Sequence, residues 1–155
     1  MPRKLKLDID FSSDITLIAI SCHKPNFWLA LQLNNLLGTD LRRLGDLPYY
    51  HSSTGEVLQY PLFYYADDNT GLTCFFLGNH NPDGKLFTEY RAADFFLMVN
   101  DEINTSYSSN LIKQIKSIKG VLTAFEGDKN KIKNLKNFIS DLELHMIEEL
   151  KNGHS

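Results

Sequence analysis

The octapeptide ITLIAISC at residues 15 to 22 constrains this chain more than any other stretch, because six of its eight positions are apolar and none is charged. A half-exposed strand alternates polar and apolar residues, and an amphipathic helix repeats its apolar positions every three or four. An unbroken apolar run this short suits a strand covered on both faces. It belongs inside a sheet. DFFLMV at 94 to 99 has the same character after its leading aspartate and predicts a second buried strand.

The flanking segments supply the elements that would cover such strands. KLKLDIDF at 4 to 11 alternates strictly, with Leu5, Leu7, Ile9 and Phe11 on one face, and predicts a half-exposed strand. After His23 the period turns helical. PNFWLALQLNNLLG sets Phe27, Ala30, Leu31, Asn34 and Leu37 along neighbouring rows, with Pro25 near its start and Gly38 past its end. TDLRRLGDL then offers Thr39 or Asp40 as a cap and predicts one further helical turn.

From Tyr49 to His80 the pattern is a hairpin series. PYYH, EVLQYPLFYY and LTCFFLGN are separated by the turn formers SSTG and DDNTG. Pro61 interrupts the second run and, lacking an N–H, places that strand at an edge or a bulge. NPDG at 81 to 84 reads as a type I turn.

Beyond DFFLMV come the polar link NDEINTSYSS, the helix SNLIKQIKSIKG and the strand GVLTAFE. In the helix, Leu111, Ile112, Ile115 and Ile118 form the inward stripe while Lys113, Lys116 and Lys119 point away. Strand, helix and strand make a crossover over the sheet, of the right-handed kind. The last segment, DKNKIKNLKNFISDLELHMIEEL, carries lysines early and carboxylates late, against the helix macrodipole. Ser140 with Glu143 makes a capping-box pattern, which predicts a separate helix from Asp141 to Leu150. Residues 128 to 155 are then either docked on the sheet or a peripheral helical extension. The fold class expected is α+β: one domain over 1 to 155, with a mostly antiparallel or mixed sheet of five to seven strands and helices packed on it.

Composition limits the functional classes. A chain of 155 residues, 43% apolar and 23% charged, is an ordinary globular protein long enough to bury a sizeable core. A net charge of −3 weighs against a dedicated nucleic-acid binder. Its apolar runs fall short of the roughly 18 residues a membrane span needs, and the N-terminus MPRKLKLDID lacks the apolar segment of a signal peptide, so a cytoplasmic protein is expected. Cys22 and Cys74 both sit in apolar runs and read as reduced core residues. Together with His23 and His80 they lack zinc-ligand spacing, and no phosphate-binding glycine loop, G-x-S-x-G or H-E-x-x-H occurs. Neither a metal nor a cofactor is expected.

The most distinctive polar cluster is FTEYRAADF at 87 to 95, where Glu89 and Asp94 stand five positions apart. That spacing puts them on opposite faces of a strand and about 140° apart around a helix. Acid–base work by this pair would therefore need YRA to bend sharply; His23 and Asn34 are the accompanying catalytic candidates. The plainer reading makes Asp94 a backbone acceptor that fixes entry into DFFLMV and pairs Arg91 with Glu89. A third displays Glu89, Tyr90, Arg91 and Asp94 to a partner, since Tyr and Arg anchor interfaces. Tyr49, Tyr50, Tyr60, Tyr64 and Tyr65 form an aromatic hairpin with no Lys or Arg between Pro48 and Ala66, which suits a core-packed or protein-binding face better than a nucleic-acid platform. Tyr60 and Tyr64 are its nominated contacts. The basic segment from Lys113 to Lys136 would make a patch for RNA or an acidic protein if its two halves lay together.

FTEYRAADF resembles the motif of the IPExxxVDY family of small Bacteroidetes proteins. Phe87, Thr88 and Glu89 stand at Ile-Pro-Glu, and Ala93, Asp94 and Phe95 at Val-Asp-Tyr; Glu89 and Asp94 are identical, while Thr88 replaces the proline. KLKLDIDF, LIAIS, LALQLNNLLG and VLTAFE are similar to the family's general layout, so the likeness spans most of 4 to 126. It implies a cytoplasmic bacterial setting and no particular reaction. With catalytic constellations missing, the expected function is a non-enzymatic binding or adaptor protein acting through protein contacts, self-association included. A small hydrolase or lyase using Glu89 and Asp94, and RNA binding through Lys113 to Lys136, are the alternatives.

Overall fold

The computed structural model describes residues 15–101 and 107–151. The strand expected at KLKLDIDF and the middle of the link after DFFLMV lie outside the described residues. The elements run β1 (Thr16–Cys22), α1 (Asn26–Leu37), β2 (Arg42–Arg43), β3 (Leu47–His51), β4 (Glu56–Tyr60), β5 (Leu62–Asp67), β6 (Leu72–Gly78), β7 (Phe95–Asp101), α2 (Tyr107–Lys116), β8 (Val121–Glu126) and α3 (Leu135–Lys151). Short 3-10 turns cover Thr88–Tyr90 and Lys129–Lys131. Six strands form one sheet in the order β2-β5-β6-β7-β1-β8, and β3 with β4 forms a separate two-stranded sheet. All of these pairings are antiparallel, so the α+β architecture is the one the pattern predicts.

ITLIAISC is internal, as its uninterrupted apolarity requires. β1 lies between β7 and β8, and Ile18, Ala19 and Ile20 have no exposed surface. Its side chains divide between two cores. Leu17 and Ala19 join Phe75, Leu77, Phe96 and Met98 against α3 and the hairpin β3–β4. Ile18, Ile20 and Cys22 join Phe76, Leu97 and Val99 against α1 and α2. Helices therefore cover both faces of the sheet. Since β7 and β8 are each antiparallel to β1, they run parallel to one another, and α2 carries the chain across β1 between them.

Four expectations are corrected. In α1 the row that packs on the sheet is Leu29, Ala30 and Leu33, while Phe27 and Leu31 of the expected rows are exposed. TDLRRLGDL forms no helical turn; Arg42 and Arg43 extend the sheet beside Tyr64 and Phe63 instead. The Asn34 side chain decides this, because its Oδ1 accepts from the Leu41 amide (2.7 Å) and the Thr39 hydroxyl (2.9 Å), ending α1 and pulling Leu41 into the core. Gly38 supplies the left-handed residue (φ 68°) that such a stop needs. EVLQYPLFYY is two strands in two sheets, divided at Pro61, whose carbonyl accepts from the Gly78 amide (3.1 Å). Finally, the C-terminal helix starts at Leu135 rather than Asp141. Leu135, Phe138, Ile139, Leu142 and Met146 are all buried on its inner face. At about 1.5–3 kcal/mol each, their burial outweighs an unfavourable dipole term of about 0.3–1 kcal/mol. This helix is docked on the sheet.

Candidate functional site

Segment 86 to 94 is shaped by a residue that no motif singled out. Asn79, fully buried just past β6, accepts from the Phe87 amide through Oδ1 (2.9 Å) and donates through Nδ2 to the Ala93 (2.9 Å) and Tyr90 (3.1 Å) carbonyls. Its backbone N–H donates to the Asp94 carbonyl (3.0 Å) and its own carbonyl accepts from the Leu86 amide (3.0 Å). The loop is wrapped around one carboxamide. Its only sequence signal is position: a polar side chain closing the apolar run LTCFFLG, where a buried backbone has no strand partner left.

That wrapping separates Glu89 from Asp94. Asp94 is turned towards β1, where Oδ2 accepts from the Cys22 amide (2.8 Å) and Oδ1 pairs with His80 Nε2 (2.6 Å). The other His80 ring nitrogen contacts Lys85 Nζ. Asp94 thus performs the backbone-acceptor role expected of it. Glu89 is exposed and accepts from the Lys133 amide (3.4 Å) rather than from Arg91. Tyr90 is half-buried against Phe96, with its hydroxyl accepting from the Asp128 amide (2.6 Å), so it clamps the chain after β8. Arg91 remains exposed.

Glu89 instead opens onto a cleft of about 320 Å³ between the hairpin β3–β4, the loop before β7 and the start of α3. The aromatic wall is Tyr49, Phe87 and Phe138: Phe138 meets Tyr49 edge-on at 5.5 Å and Phe87 at 5.0 Å. Glu89 and Asp141 bring two carboxylates to the lining against one ammonium, Lys133. Burial pushes the Tyr49 hydroxyl above its ordinary pKa range, and the nearby Glu89 and Asp141 charges push it further. The cleft is therefore an electronegative site with a neutral phenol beside it. Its volume is at the lower end of ligand pockets, which run from about 300 to 1,000 Å³.

Of the nominated hairpin residues, Tyr60 is fully buried and cannot touch a partner. Its hydroxyl donates to the Gly84 carbonyl (2.9 Å), so the His51 ring at 2.7 Å must be the donor to it. Burial, with a smaller contribution from Tyr49, pushes the Tyr60 hydroxyl up to about 12. Tyr64 lies half-buried with its ring 5.4 Å from Phe75. Tyr49 and Tyr50 are the hairpin tyrosines at the cleft, and Asp141, unremarkable in sequence, is brought there by α3.

The remaining candidates are dispersed. Asn34 ties α1 to Leu41 on the opposite face of the sheet, and His23 is exposed just after β1, so neither accompanies Glu89. Cys22 and Cys74 are reduced thiols buried in the core beneath α1 and α2. Among the described residues no group of three or more His, Cys, Asp or Glu is placed to hold a metal ion. Lys113 and Lys116 ride on α2 whereas Lys136 rides on α3, so the basic segment is divided between the two outer layers. Among the described residues no helix is long and apolar enough to cross a membrane. No protein-family model and no curated protein matches this chain.

Proposed function

We propose that this protein is a non-enzymatic binding module whose cleft beside Glu89 receives a basic side chain of a protein partner. One observation carries the reading: the tyrosine hairpin and the Glu89 segment, far apart in the chain, meet at a single aromatic-walled cleft with two carboxylates at its mouth. A guanidinium or ammonium there gains charge-assisted hydrogen bonds from Glu89 and Asp141 and stacks against the Tyr49 face. The setting we infer is cytoplasmic, a reading supported by two buried reduced thiols. Kinship with the IPExxxVDY family is part of the same proposal, with Asp94 anchoring the motif to β1 and Glu89 facing the partner.

The test is an NMR titration of the labelled protein with matched short peptides carrying Arg, Lys or Glu at the centre. Arg and Lys peptides should shift the amides of Tyr49, Glu89 and Asp141, and the double variant Glu89→Gln/Asp141→Asn should abolish the effect. Equal response to the Glu peptide, or an unchanged response in the variant, refutes it.

A further inference from the structure

On the opposite side of the sheet lies a second and larger depression, an open groove of about 840 Å³ between α1 and the turn after α2. Its floor is apolar, formed by Trp28, Leu36 and Ile118, and its charged lining residues are Lys24 and Lys119. Among the described residues no carboxylate lines it. Trp28, the only tryptophan in the chain, is half-buried and held from two sides. The Lys24 ammonium stands 5.6 Å from its ring centroid. Gly120, at φ 112°, brings bare backbone so close that a Cβ there would lie 2.9 Å from Trp28 Cη2. Along the same helix, one turn apart, Phe27 (68% exposed) and Leu31 (56% exposed) continue the apolar surface beyond the groove.

Two large apolar side chains left in water beside a fixed indole mark a surface built for contact. Neither Phe27 nor Leu31 is among the lining residues of the groove, so a small molecule seated in it would leave both in water. The charge pattern selects the class of occupant, since two lysines with no carboxylate among the described lining residues repel a basic segment and attract an acidic one. We propose that this groove docks an acidic amphipathic segment of a partner protein, its apolar side chains on Trp28, Phe27 and Leu31 and its carboxylates on Lys24 and Lys119. With the cleft on the other face, the molecule then presents sites of opposite charge preference on its two sides, which is the geometry of an adaptor. The proposal stands independently of the cleft, because among the described residues the two share none of their lining.

Trp28 is its own reporter. The full chain is titrated with a synthetic helical peptide of roughly 18 residues carrying Leu and Phe on one stripe and Glu elsewhere. Its counterpart with Lys in place of every Glu is tested in parallel, as is a single-stranded oligouridylate. The Glu peptide should give a saturable change in Trp28 emission, and the double variant Lys24→Glu/Lys119→Glu should weaken it by about tenfold or more. The same variant should now bind the Lys peptide. Both lysines are exposed, so an unchanged urea midpoint certifies that the variant is folded. Absence of a response to the Glu peptide, an equal response to the Lys peptide, or tighter binding of the oligouridylate overturns the proposal. So does an emission change with protein concentration alone accompanied by doubling of the mass, which would make a second copy the occupant. The cleft variant Glu89→Gln/Asp141→Asn should leave all these readings untouched, separating the two sites.

Discussion

Replacing Asn79 with alanine should be among the most damaging single changes outside the apolar core. The substitution removes three side-chain hydrogen bonds, two of them buried, and strands the Phe87 amide and the Ala93 carbonyl. A buried backbone group left without a partner costs about 1–3 kcal/mol. Two such groups give a range of about 2–6 kcal/mol, and partial relaxation towards water at the less buried Tyr90 carbonyl favours the middle, near 3–4 kcal/mol. For a chain of this size that corresponds to a fall in Tm of roughly 6–16 °C. Asn79→Asp distinguishes this cause from simple loss of packing. The aspartate is nearly the same shape and can still accept from Phe87, but its second oxygen would face two carbonyls. It should therefore be destabilised as much as the alanine variant at neutral pH and recover partly on acidification, as protonation restores a donor. Urea unfolding monitored by Trp28 emission gives the magnitudes, and amide exchange at Phe87 reports the local effect. An alanine cost below about 1 kcal/mol, with Phe87 protection retained, would refute the role assigned to the carboxamide.

The same geometry sets three further outcomes. Asp94→Ala, which removes a charged acceptor from the Cys22 amide, should cost about 1.5–3 kcal/mol in urea unfolding, and Asp94→Asn less, since an amide oxygen still caps β1. Gly120→Ala should lower stability by about 1–3 kcal/mol through its left-handed backbone and displace the indole, seen as altered Trp28 emission in the folded protein. Glu143 on α3 is buried, and burial alone holds its carboxyl above the usual range. The folded state therefore binds more protons than the unfolded state between the two pKa values, so this group's contribution to stability is best at acidic pH and falls as pH rises through that window. Glu143→Gln should raise Tm above that of the natural protein at neutral pH, with the gap closing in thermal melts as the buffer is acidified below the ordinary carboxylate range.

Local sequence carried most of the framework. The turns SSTG, DDNTG and NPDG, the stripe of α2 and the buried strands were legible because each is decided by neighbours a few residues away, whereas which row of the almost wholly apolar start of α1 faces the sheet was not. The helix after Gly38 failed to form because the Asn34 carboxamide, not the local cap, set the path of the chain beyond α1. The early start of α3 was equally hidden, because its lysines argue locally against a helix and only the sheet supplies the apolar surface that overrides them.

The candidate site divides the same way. The five-residue spacing of Glu89 and Asp94 argues against a joint role in regular structure, and the structure gives each a separate partner. That Glu89 would meet Tyr49, Phe138 and Asp141 could not be read from the chain, because those residues come from a hairpin, a loop and a terminal helix that approach only when the core closes. Period, turn chemistry and composition act over a few bonds, and so the sequence alone determined most of the elements and the α+β class. Which polar groups share a cleft depends on how separate elements dock to bury their apolar faces, and only the tertiary structure decided that.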